Sequence, residues 1–395
     1  MERMGQRAST VRFACRVASL LIVVAVVPAG NAGADLLPRL RGAPALVGVT
    51  LPSQGTWNNV QELALQEVAR NIPVPASSDT IIFERNPTTG EYERVASSLG
   101  PSPFLERAET LGQGRFGASV TGQYLEVDEF DGHKIGLDRF QVVDAGGTPL
   151  TFFATPKAVY HLATFNFTYG LLDDLDINLA APLMTRDYDF NVPFPTDPSV
   201  LIASHNNGDV DLGDIHARAK YHLGSWMDWE GAVGLDTRIP TGDRDEATGT
   251  NDFEIGPYVA TSRMFADRLE VLLNGGFDFN TYHTRRSSAH YALGLNVIAC
   301  RWATIAGAVL GRSNFDSWAE SESISGPHVV DGATVSAPYG GYNFADRKDY
   351  YDANIGAKIR IGENVALSMS AFRRINDDGA RSSEWSPVGS IEGYF

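Results

Sequence analysis

At 395 residues the chain is long enough for two or three ordinary domains or for one large barrel, and with 43% hydrophobic and 20% charged residues it is too apolar for general disorder. A mean hydropathy of −0.14 and the lack of any 18-residue apolar run argue against membrane-spanning helices, while 48 acidic against 32 basic side chains argue against a nucleic-acid partner. Thirty-nine glycines with 20 Phe and 14 Tyr favour many short strands and tight turns, as in a sandwich or a barrel.

The chain opens with Arg3, Arg7, Arg12 and Arg16, then the apolar run from Val17 to Val27 and small residues from Ala29 to Ala34. This is the pattern of a secretory signal peptide over residues 1–34, cut after Ala32-Gly33-Ala34. The apolar run is about half the ~20 residues that a membrane helix needs. Losing Glu2 and four arginines turns 32 basic and 48 acidic side chains into 28 and 47, a net charge of −19. Cys15 leaves with the signal and only Cys300 stays, so no intrachain disulfide can form and stability must come from packing or backbone pairing.

Residues 35–113 differ in character from the remainder of the chain. Pro38, Pro44, Pro52, Pro73, Pro75, Pro87, Pro101 and Pro103 punctuate them, and one helical pattern runs from Val60 to Arg70 behind an Asn59 cap. The segment is expected either to plug a lumen or to form a loosely ordered periplasmic arm.

From Phe116 onward, residues 114–395, the period is two, which sends alternate side chains to opposite faces of a strand. The predicted strands are Phe116 to Tyr124, Ala163 to Tyr169, Leu175 to Ala181, Ile215 to Leu223, Gly231 to Ile239 and Phe253 to Thr261. Leu269 to Asn280, Ala289 to Ile298, Thr304 to Gly311, Tyr351 to Ile361, Val365 to Arg373 and Trp385 to Phe395 complete twelve. Short links such as Leu171 to Asp174 and Gly362 to Asn364 alternate with mostly longer ones such as Thr185 to Asp214 and Arg312 to Tyr350. One strand face gathers Arg218, Lys220, Asp236, Arg238, Glu254, Asp278, Asp352, Lys358 and Arg360, and the other is nearly free of charge. A soluble sandwich would need a second sheet against the uncharged face, whereas a barrel sets that face against lipid and the charged one around a wet lumen. The expected fold is an all-β, antiparallel transmembrane barrel of about 12 strands.

Three segments carry a family resemblance: Pro103-Phe104-Leu105-Glu106-Arg107-Ala108-Glu109-Thr110-Leu111-Gly112, Gly213-Asp214-Ile215 leading into Lys220-Tyr221, and Arg238-Ile239-Pro240-Thr241-Gly242-Asp243. With them the chain resembles, over residues 101–395, the outer-membrane proteins of the meta-pathway of phenol degradation, a branch compared with the long-chain fatty-acid and hydrocarbon channel superfamily. The resemblance implies a channel or transporter for small hydrophobic compounds. It also implies that the terminal Phe395 is the signal read by the barrel-assembly machinery, although Gly389 and Gly393 stand where larger apolar residues are more usual.

His216, Arg218, Lys220 and His222 form a basic ladder on one predicted strand, with Asp176, Asp236 and Glu254 on nearby predicted strands as prospective partners across the lumen. The ladder either sets the field of a pore or completes buried ion pairs. It is no metal site, since the first and last residues lie roughly 20 Å apart along an extended strand. Pro240, Thr241, Gly242 and Asp243 end a strand, as a shaped loop or as a simple terminator. Asp209, Asp211 and Asp214, and Asp243, Asp245 and Glu246, are acidic clusters without a complete calcium loop, and no cofactor is implied. A lipid hydrolase would have to draw on His161 and on hydroxyls such as Ser119 or Ser368, but no nucleophile motif surrounds them.

The expectation is therefore a non-enzymatic outer-membrane barrel, embedded in outer-membrane lipid and lipopolysaccharide, that passes a small hydrophobic or aromatic solute. An adhesive or structural barrel is the alternative, with the hydrolase behind it. Val60, Leu63 and Phe104 of the leader are expected to lend the path an apolar patch.

Overall fold

The computed structural model describes residues 66–77, 83–85, 92–94, 104–134, 139–143, 149–153, 157–194, 197–205, 210–266, 268–300, 302–317, 323–330, 333–343, 346–361, 365–382 and 384–394. The signal peptide, Asn59, Val60, Leu63, Asp209 and Phe395 lie outside the described residues.

Twelve strands close into one antiparallel barrel. They are β1 (Phe116–Val127), β2 (Lys157–Leu172), β3 (Leu175–Phe194), β4 (Ile215–Trp226), β5 (Trp229–Ile239) and β6 (Glu254–Phe265). After them come β7 (Leu269–Asn280), β8 (Ser288–Cys300), β9 (Ala303–Asn314), β10 (Asp349–Arg360), β11 (Val365–Arg374) and β12 (Ser386–Tyr394). Each pairs with its sequence neighbours, and β12 returns to β1 through Val388 to Tyr394 opposite Gln123 to Gly117. Closure leaves the barrel without an edge, so every strand can satisfy its backbone groups inside a bilayer.

Period two explains which side each residue takes. On β6, Glu254, Tyr258, Ala260 and Ser262 are buried while Ile255 and Val259 are exposed. Around the barrel the exposed set is Leu179, Leu235, Leu273, Leu295, Ile305, Ile355 and Met369, a belt of apolar side chains. Aromatic residues rim the belt, with Trp226, Trp229, Phe265 and Trp302 at the short turns and Phe279, Tyr282, Phe315 and Trp385 at the long links. This is the outer surface of a membrane barrel.

Two of the strands are longer than their sequence pattern predicts. β2 begins at Lys157 and β3 runs to Phe194, so both outgrow the bilayer on the long-link side. The alternation of Tyr188, Phe190, Val192 and Phe194 with Asp187, Asp189 and Asn191 already carries this extension. The long links are not merely irregular either. Arg139–Val143, Pro149–Phe153, Ser323–Val330 and Ala333–Asn343 form a separate four-stranded sheet, and Asp197–His205 continues the pairing of β3.

Helix is present at residues 66–71 (α1), overlapping the carboxy-terminal half of the predicted helical span and passing its end by one residue. Gln66, Glu67, Ala69 and Arg70 are good helix formers, and Pro73 disfavours helical geometry at Ile72, which stops it. Its stability comes from tertiary packing rather than from propensity alone. Here Gln66, Glu67, Val68, Ala69 and Arg70 are all buried, and contacts with inward-facing strand residues hold it.

Candidate functional site

Strand pairing places charges of opposite sign side by side on the inner wall. In register, Arg218 on β4 faces Asp236 on β5, Arg238 faces Glu254 on β6, and Lys220 faces Asp176 on β3. Period two gives these neighbours the same inward direction, so the pairs form: Arg218 Nε lies 2.8 Å from Asp236, and Arg238 Nη1 lies 3.5 Å from Glu254. His216 joins the first pair, its Nδ1 2.9 Å from the second Asp236 oxygen. The partners are thus adjacent strands rather than opposite sides of the lumen.

The chain before the barrel reaches the same wall. Arg218 donates to the Pro75 carbonyl at 2.5 Å, Asn166 to the Ala76 carbonyl at 2.9 Å and Thr168 to the Ser77 carbonyl at 2.9 Å. Residues 104–111 run beside them. Glu106 and Asn274 exchange a reciprocal pair of hydrogen bonds at 2.7 and 2.8 Å, Arg107 meets Glu270 at 2.5 Å, and the Leu111 amide donates to Asp176. On α1, Glu67 accepts from the Tyr350 hydroxyl at 2.8 Å and the Ala380 amide at 2.9 Å, and Arg70 lies 3.3 Å from Glu254. Burial pushes the Glu67 carboxyl up from its ordinary value, and those two donors only partly oppose the rise.

Between these segments and the wall lies a cavity of about 350 Å³. Of the residues assigned to the lumen from sequence, His216, Arg218, Asp236, Arg238, Glu254, Asp278 and Asp352 line it. Lys220 sits deeper, 3.8 Å from Glu106, and Lys358 pairs with Glu392 at 2.6 Å with both side chains about 1% exposed. His222 meets Glu230 at 2.9 Å near a short turn, and Arg360 stacks over Trp302 at another. Apolar and aromatic residues share the cavity wall with these charges. Phe104 meets Phe372 edge-on at 4.6 Å, beside Leu125, Val127 and Leu310. Tyr350 lies between the guanidinium groups of Arg312 at 4.4 Å and Arg381 at 4.7 Å.

Arg312 and Tyr350 are cavity residues that the sequence pattern assigns to the ends of a long link. β9 continues to Asn314 and β10 starts at Asp349, so both residues are strand residues, paired in register. The missed signal was parity: Leu310, Arg312 and Tyr350 continue the inward phase of their strands.

Two segments behind the family resemblance meet in space. Asp214 accepts from the Gly242 amide at 3.1 Å and from the amide and hydroxyl of Thr250 at 2.8 Å, while Thr241 donates to the Gly213 carbonyl at 2.7 Å. A side chain at Gly242 would put its Cβ 2.5 Å from the Thr248 carbonyl oxygen, so the close approach requires glycine. Pro240, Thr241, Gly242 and Asp243 therefore belong to a locked turn, in which Asp243 receives the Thr248 and Gly249 amides on its carbonyl. Arg186 pairs with Asp211 and Glu246, which draws the acidic clusters into the same structure. Ser119 faces Asn166, five residues or roughly 16 Å along the strand from His161, and Ser368 bonds Ser390 on β12, so the residues weighed for hydrolysis are not assembled.

No curated protein matches the chain in sequence. Among solved structures it is similar to an outer membrane channel of Pseudomonas putida F1, with 16% identity, a TM-score of 0.47, and coverage of 73% of this chain and 98% of that one. It is also similar to a FadL homologue of Pseudomonas aeruginosa, at 9% identity and a TM-score of 0.33 over 71% and 90% of the two chains. A third likeness is to a deletion mutant of the monoaromatic hydrocarbon channel TodX, at 8% and 0.35 over 82% and 96%. The closed barrel with its lipid-facing belt is that of an outer-membrane protein. Residues 142–298 match the family described as "Putative MetA-pathway of phenol degradation", the family that the sequence resembles.

Proposed function

We infer that the protein is an outer-membrane channel for small hydrophobic or aromatic solutes, in which residues 35–113 act as a plug rather than as a periplasmic arm. The observation that carries this reading is the cavity of about 350 Å³, bounded on one side by α1 and residues 104–106 and on the other by the barrel wall. Its size suits a small organic molecule, and its lining combines apolar and aromatic side chains with convergent charged groups that can orient a solute. Ion pairs and hydrogen bonds tie the segment to the wall, beside the buried apolar side chains of Val68, Ile72, Leu105 and Leu111. The last strand, β12, together with Phe395 after it, serves recognition by the barrel-assembly machinery.

Liposomes carrying the full chain, and a variant lacking residues 35–100, test the reading through uptake of benzyl alcohol. The deletion is expected to raise flux severalfold in a barrel that stays heat-modifiable on a gel. Absence of selective flux from both preparations removes the channel reading and leaves the adhesive barrel.

A further inference from the structure

One charge at the lumen cavity has no counter-charge among the described residues. Six arginines line the cavity, and five lie within ion-pair distance of a carboxylate. Arg218 meets Asp236 at 2.8 Å, Arg381 meets Asp352 at 2.6 Å, Arg70 and Arg238 meet Glu254 at 3.3 and 3.5 Å, and Arg374 meets Asp377 at 3.4 Å. Arg312 is the sixth. Among the described residues it has hydrogen bonds only to uncharged acceptors. Nη1 donates to the Arg70 carbonyl at 3.2 Å, Nη2 donates to Asn71 Oδ1, and Nε is buried without a partner.

The strand register accounts for this. Arg312 stands between His290 on β8 and Tyr350 on β10, and neither neighbour is an acid. The acid one step away, Asp278, is already engaged by His290 at 3.1 Å. The Tyr350 ring, 4.4 Å from the guanidinium, offers a cation–π contact but no opposite charge. Withdrawing a guanidinium from bulk water without an anion costs several kcal/mol, and a carboxylate fits its planar fork through two parallel hydrogen bonds. The wall beside it, Phe104 against Phe372 with Leu310 and Val127, suits an apolar or aromatic body.

We propose that Arg312 is the head-group site for a small organic monocarboxylate whose aromatic or aliphatic body rests on the Phe104 and Phe372 wall. The assignment rests on the channel reading and narrows its solute class, from neutral hydrophobic compounds to amphiphilic anions.

Equilibrium dialysis of the full-length protein in detergent against benzoate, acetate and benzyl alcohol tests the site. Benzoate is expected to bind at least about tenfold more tightly than either other probe, since a hydrogen bond to a charged group contributes about 1.5–3 kcal/mol and each 1.4 kcal/mol is a factor of ten. Arg312→Gln is expected to weaken benzoate at least about tenfold and to leave benzyl alcohol within about twofold, with Arg312→Lys between. Heat-modifiability identifies folded variants, and if Arg312→Gln does not assemble, the three probes on the native protein decide the question. Equal binding of benzoate and benzyl alcohol, acetate as tight as benzoate, or undiminished benzoate binding by folded Arg312→Gln overturns the assignment. Benzyl alcohol flux in liposomes, measured alongside, keeps the two readings separate. Flux without a preference for benzoate removes the carboxylate site and leaves the channel, while Arg312-dependent benzoate binding without flux removes the channel and leaves the site.

Discussion

Arg107 and Glu270 meet at 2.5 Å with side chains 5% and 2% exposed, and Glu270 also accepts from Asn296 at 2.8 Å. The pair joins residues 104–111 to β7, and its worth lies less in mutual attraction than in what either partner becomes alone. Arg107→Ala leaves a buried carboxylate without its cation, so it is expected to destabilise the protein by about 3–5 kcal/mol, read as a lower midpoint of denaturant unfolding in detergent. The double change Arg107→Met with Glu270→Met removes both charges and is expected to recover most of that loss. A double variant as unstable as the single one would show that the packing of residue 107, not its charge, holds the segment. The same logic separates Arg312 from its neighbours, because a charge whose described partners are all neutral stands ready for an anion from outside.

At the scale of the element, α1 is held at both ends by polar contacts, through Glu67 with Tyr350 and Ala380 and through Arg70 with Glu254. The buried Glu67 carboxyl titrates above its ordinary value of 4.5, so the docked helix binds a proton more readily than the undocked one. The sign follows from linkage: this contribution to docking is complete below pH 4.5 and is lost as pH rises through the raised value. Amide exchange of residues 66–77, corrected for its intrinsic pH dependence, is expected to lose protection over that interval. Glu67→Gln, which keeps an acceptor but cannot ionise, is expected to flatten the profile. A helix of this kind is only half legible in sequence. The formers from Gln66 to Arg70 and the stop at Pro73 are visible, but the surroundings that bury every side of it come from twelve strands elsewhere. Strand ends were the weak point for the site. Taking Gly311 and Tyr351 as limits removed Arg312 and Tyr350 from the wall, although their parity matches the residues beside them.

The whole molecule was the most legible level, because a barrel in lipid imposes one rule on every strand. Odd positions of β4 to β10 face outward and even positions inward, so Leu295 is 45% exposed while its neighbour Asn296 is 1% exposed. In water that pattern would leave apolar residues such as Leu273, Leu295 and Ile305 uncovered; in a bilayer it minimises the cost of both media. Register added what periodicity alone could not supply, since it fixed which inward charges became neighbours. The two-media arrangement makes a depth-dependent prediction. Leu295→Arg, near the middle of β8, is expected to cost about 2–4 kcal/mol, whereas Ile361→Arg just past the end of β10, 63% exposed, is expected to cost no more than about 1 kcal/mol. Reversible unfolding from phospholipid vesicles measures both. Equal small costs would mean that the belt does not lie in hydrocarbon, whereas a large difference sets the depth at which the barrel sits.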